Sequence, residues 1–171
     1  MAVAKFYHLT RDPLEKLLPV LITRALDIGL RVALRGTQSA RLEAIDQMLW
    51  ALDGFLPHGI AGGPQDGDQP VLLTLAGPGP LANAARCLIA VDGAPVTPDE
   101  ARAMDRLCVV FDGTDAAAVE VARGQWRALT GAGVEAEYWS RDSGRWSCAM
   151  NCAKRRTWTR TCGRPSRCST S

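Results

Sequence analysis

Arg123, Trp126 and Arg127 stand at i, i+3 and i+4 within ARGQWRALTGAG, residues 122–133. On a helix this spacing brings all three to one side. Two guanidinium forks beside a flat indole suit carboxylates and aromatic rings, and therefore a short acidic, aromatic peptide. The alternative is a pair of solvated arginines beside a tryptophan half-covered by a loop. Helical periodicity predicts the core face at Ala118, Val121, Ala122, Gln125, Ala128 and Leu129. Val119, Arg123, Trp126, Arg127 and Thr130 then form a second stripe well away from it.

Other residues invite catalytic readings. Asp92 and Asp112 end two apolar runs, RCLIAVDG and RLCVVFDG, at the strand edge where α/β enzymes place reacting groups. A small α/β enzyme using these two carboxylates is one alternative, although Asp-Gly is also ordinary turn chemistry. In LAGPGPLANAA, Gly77, Gly79 and Ala82 mimic the start of a dinucleotide loop. Pro78 and Pro80 have no N–H to offer a phosphate, and no Gly-Lys-Ser or Gly-Lys-Thr is present, so no nucleotide cofactor is expected. His8 and His58 are the only histidines. His58, in FLPHG, accompanies no nucleophile motif and reads as a loop histidine bonded to backbone.

Cys87 and Cys108 lie in apolar runs, where free cysteine acts as a small hydrophobe. Cys148, Cys152, Cys162 and Cys168 follow C-x3-C-x9-C-x5-C, which lacks the paired close spacings of a zinc site. No metal is expected.

A length of 171 residues suits one domain, and 47% apolar with 22% charged residues suits a globular protein. No apolar run is long enough to span a membrane, and MAVAKFYHLTRDP lacks a secretory apolar centre, which predicts a cytoplasmic protein. The net charge of +2 conceals a break. Of 20 Lys and Arg, six lie in residues 147–171, which hold no acid; the other 14 face all 18 acids, leaving residues 1–146 at −4. A mildly acidic body does not suggest a nucleic-acid surface, so a nucleic-acid binder acting through its basic tail is the second alternative. The tail has almost no aliphatic residue and is expected to have no fold of its own.

The elements that must position these residues follow from apolar period. VAKFYHL is a first strand, and Pro13 opens a helix carrying Leu14, Leu17, Leu18, Leu21 and Ile22. Pro19 predicts a kink or a late start, and Gly29 a stop. RVALRG is a strand, and SARLEAIDQMLWAL a helix with Trp50 one step off its apolar stripe. PVLLTLA, RCLIAVDG and RLCVVFDG are buried strands, a helix follows from about Asp115 to Gly131, and VEAEYWSRD closes the sheet. The order is that of an α/β fold, a mainly parallel sheet with helices on both faces.

FYHL, QMLWALDGFLPHG, QPVLLT, RCLIAVDG, ARGQWRALTGAG and YWSRDSGRW, in this order and spacing, resemble the chi subunit of bacterial DNA polymerase III over residues 1–146. The resemblance implies a three-layer α/β/α fold, nucleotide-binding-like but without a phosphate loop. It implies a non-catalytic accessory subunit of the clamp-loader complex, touching DNA only indirectly. Its partners would be the acidic C-terminal peptide of single-stranded DNA-binding protein and a psi-like subunit, or an alternative partner such as a helicase. Arg123, Trp126 and Arg127 match the family's peptide site, with Val119 at a position that is otherwise basic. Trp50 and Phe55 match its aromatic partner surface. Chi-like chains stop soon after the segment matching GRW. Residues 147–171 depart from them, as a frame-shifted gene end or a genuine extension would.

Overall fold

The computed structural model describes residues 3–10, 12–77, 80–141 and 146–151. Runs of β-branched and aliphatic residues form eight strands: β1 Ala4–Leu9, β2 Val32–Gly36, β3 Gly59–Ile60, β4 Val71–Leu75, β5 Cys87–Ala90, β6 Arg106–Asp112, β7 Ala136–Ser140 and β8 Ser147–Asn151. They make one sheet in the order β3-β4-β2-β5-β6-β1-β7-β8. Every pairing is parallel except β7 with β8. β2 and β5 are buried throughout, which explains their continuous apolar character.

The helices are α1 Leu14–Asp27, α2 Ser39–Trp50, α3 Pro98–Ala103 and α4 Ala116–Gly131. α1 and α2 cover one face, burying Leu18, Ile22, Ile45 and Leu49 against Leu34, Leu73, Ile89 and Val110. α3 and α4 cover the other, burying Ala101, Ala122, Trp126 and Leu129 against Phe6, Leu88, Leu107 and Tyr138. These are the three layers expected of the fold. α1 runs through Pro19 without interruption because its buried stripe spans the proline. It ends before Gly29, whose φ of +78° is the left-handed conformation that closes a helix.

Three elements are absent from the sequence-based expectation. β3 is only two residues long. α3 is set by a capping box: the Thr97 hydroxyl accepts from the Glu100 N–H, and the Glu100 carboxylate accepts from the Thr97 N–H. β8 revises the boundary at residue 147. The tail was expected to be unfolded from its first residue, yet Ser147–Asn151 pair antiparallel with β7. Backbone hydrogen bonding along an open edge needs no aliphatic side chains, so composition hid this strand. The remainder of the tail, including Cys152, Cys162 and Cys168, lies outside the described residues.

Cys87 and Cys108 lie on the neighbouring strands β5 and β6, two register positions apart, and are buried. Burial pushes the Cys87 thiol up to about 12 and raises Cys108 further, which keeps both protonated and inert.

Candidate functional site

α4 begins where Asp115 accepts the Ala117 N–H at 2.9 Å. Its buried residues are Ala122, Trp126 and Leu129, with Val119 packed against the same core. This corrects the expected core face. Val121 and Ala128, expected inside, are exposed; Trp126, expected on an open stripe, is 0% exposed. The indole packs edge-on to Phe6, ring centroids 5.1 Å apart. The physical reason is size. An alanine-rich helix gains little from burying any one alanine, whereas an indole buries ~200 Å², and the helix turns to sink it. Trp126 therefore cannot present its ring to a peptide.

The turn leaves the arginines at the edge of the buried stripe. The Arg123 side chain is 17% exposed and donates to Glu120 at 2.5 Å. Arg127, one turn later, is exposed. Trp126 lies between them in sequence, and its burial sets which face of α4 turns to the core and so where the two arginines stand around the helix. Gln125 steadies the same helix by donating to the Ala94 carbonyl at 2.8 Å.

Trp50 closes α2 one step beyond the buried Leu49, and is 56% exposed. Phe55, on the loop that follows, is 80% exposed, and its ring lies 6.4 Å from that of Trp50. The two rings thus share one apolar patch, as the off-stripe position of Trp50 suggested. His58 supports it from beneath, 4.6 Å from the indole. The His58 ring is buried, with Nδ1 2.7 Å from the Leu56 carbonyl and Nε2 within reach of Asp46. It is the backbone-bonded loop histidine read from FLPHG.

Asp92 and Asp112 line one cleft of about 330 Å³ at the carboxyl ends of the parallel strands, with Asp12, Glu15 and Arg41. Each has a structural partner. Asp92 follows β5 with φ of +51° and accepts from Arg41 at 3.1 Å. Asp112 accepts from the Thr114 hydroxyl and N–H, which hold its carboxyl below the usual range. That is the turn chemistry of Asp-Gly and Asp-Gly-Thr, and a carboxylate held ionised this way is a poor proton donor.

An ion pair that sequence reading missed ties β2 to the segment that follows β5. Arg35 on β2 is 3% exposed; it donates to Glu100 at 2.6 Å and to the Pro95 carbonyl at 3.0 Å. Thr97-Pro98-Asp99-Glu100 was the available signal: a capping box with proline at the first helical position.

Among the described residues, no helix is long and apolar enough to cross a membrane, and no cluster of His, Cys, Asp and Glu is arranged to hold a metal ion. A search of curated proteins finds no match. The profile of the DNA polymerase III chi subunit, HolC, matches residues 1–137, which spans β1 to the start of β7. The chain belongs to the DNA polymerase III chi subunit family.

Proposed function

We propose that this chain is a non-catalytic accessory subunit of the clamp-loader complex, working in the cytoplasm as an adaptor. α4 offers Arg123 and Arg127 to the acidic C-terminal peptide of single-stranded DNA-binding protein. Trp126 contributes from below by orienting them. The observation that carries this reading is the pairing of family membership with two arginines one turn apart on α4, Arg127 exposed and Arg123 partly so at the edge of the buried stripe. Calorimetric titration with an acidic peptide ending in Pro-Phe tests it. Arg123→Ala and Arg127→Ala should each weaken binding by about 1.5–3 kcal/mol, the scale of a charge-assisted hydrogen bond. Wild-type affinity should fall as salt rises, because exposed charges are screened. Two variants that bind like wild type would place the peptide elsewhere.

Trp50 and Phe55 are the proposed contact for a psi-like clamp-loader subunit, or for an alternative partner such as a helicase. A patch of two adjacent exposed rings is the kind of anchor that dominates interface energy. Phe55→Ala removes a ring with little burial in the chain itself, so stability should change by no more than about 0.5 kcal/mol. Pull-down of the partner by Phe55→Ala or Trp50→Ala should be lost while peptide binding survives. Retention of the partner by both variants would remove this surface from the assignment.

A further inference from the structure

On the sheet face opposite α4, a groove of about 450 Å³ runs between α1 and strands β1 and β7. Its α1 wall presents Lys16, Val20 and Arg24 at i, i+4 and i+8, all exposed, with the two cations about 12 Å apart along the axis. Its sheet wall carries Lys5 and Arg141, with Tyr7, Trp139 and Trp146 between. The rings are mutually braced: Tyr7 stacks with Trp139 at 6.2 Å and meets Trp146 edge-on at 5.4 Å. Lys5 Nζ lies 5.2 Å from the centre of the Trp139 ring. Trp139, Arg141 and Trp146 all lie beyond the family match, which ends at residue 137.

We infer that this groove binds single-stranded nucleic acid. Four cations and one carboxylate, Asp12, line it on a body whose residues 1–146 carry −4, so positive charge is concentrated here against the trend of the domain. The cations are spread along both walls rather than gathered into one fork. Such a distribution follows a chain of phosphates better than the terminal carboxylate of a peptide. Half-buried tryptophans between the walls supply sequence-tolerant surfaces for bases, which stack on aromatic faces. Lys16 and Arg24 form no ion pair among the described residues and are available to phosphates, whereas Lys5 is shared with Glu137 at 3.9 Å and Arg141 with Asp12 at 2.7 Å. The chain's own tail is excluded as occupant by charge, since residues 152–171 hold six basic residues and no acid. The inference is independent of the peptide site, which lies on the other face.

Fluorescence anisotropy of labelled oligothymidylate with the full-length chain tests it. Binding should weaken steeply with salt, and the double variant Lys16→Glu/Arg24→Glu should bind about tenfold or more weakly, as two lost phosphate contacts imply. Full-length chain with its six tail cations replaced by glutamine should still bind, with a shallower salt dependence. Arg123→Ala and Arg127→Ala should bind the oligonucleotide like wild type, so failure of the peptide reading leaves this result untouched. The inference is overturned if wild type does not bind, if the double variant binds unchanged, or if neutralising the tail abolishes binding. It is overturned equally if the double variant keeps the oligonucleotide's affinity but loses the acidic peptide, which would make the groove a peptide site.

Discussion

Trp126→Ala is expected to destabilise the domain by about 3–5 kcal/mol, the range for removing a fully buried aromatic ring from a packed core. The indole is 0% exposed and sits among Phe6, Ala122 and Leu129, so its loss leaves a cavity at the centre of the α4 face. β1 and α4 are both held through that contact, and neither can close the gap without moving backbone. Urea denaturation measures the change, with the midpoint falling and the slope preserved if unfolding stays two-state. Trp126→Phe separates packing from recognition. It keeps a ring against Phe6 and should cost less, while affinity for the proposed peptide stays within about twofold, because a ring that is 0% exposed offers the peptide no surface. A tenfold loss of peptide affinity in a stable Trp126→Phe protein would show that the ring becomes exposed in the complex.

The second large effect belongs to Arg35 and Glu100. Removing one partner of a buried ion pair strands the other, at a cost of about 3–5 kcal/mol. Glu100→Ala should fall at the low end of that range, because the Glu100 side chain is 28% exposed and water can reach part of the vacated space. The Glu100 carboxyl is raised by burial, but the Arg35 guanidinium and the Thr97 bonds outweigh this and hold it below its ordinary 4.5. A carboxyl depressed in the folded state favours folding while ionised. Its contribution is complete above the ordinary value and declines as pH falls below about 4.5 through the folded pKa. Glu100→Gln keeps an acceptor for the capping box and removes the charge. It should therefore flatten the acid limb of the stability profile as well as lower the plateau. An unchanged acid limb would assign that slope to other carboxylates.

The layered α/β order was legible from residue type alone. RVALRG, PVLLTLA, RCLIAVDG and RLCVVFDG are apolar on both sides of the strand, and only a sheet covered on both faces buries such runs. The exposure of Trp50 was legible too, because α2 has a clear stripe at Leu42, Ile45 and Leu49 and the indole falls outside it. α4 gave no such answer. Its small residues are spread around the axis, so several rotations bury similar area in isolation, and the period of the sequence does not choose among them. The choice is made by the cavity beside Phe6, which accepts an indole, and by the cost of leaving that ring in water. Arg123 and Arg127 take their places around the helix from this decision, so the residues of the proposed peptide site could be named from sequence while their placement could not.

Pairing across distance was equally invisible. Nothing near Arg35 announces Glu100, 65 residues away, because the contact exists only once β2 and β5 lie side by side and α3 follows β5. The basic groove depends in the same way on α1, β1 and β7 meeting from three parts of the chain. Local periods and caps are properties of neighbouring residues and can be read in order. Helix rotation, buried charge pairs and grooves are properties of surfaces in contact, and those form only when the sheet has aligned its strands.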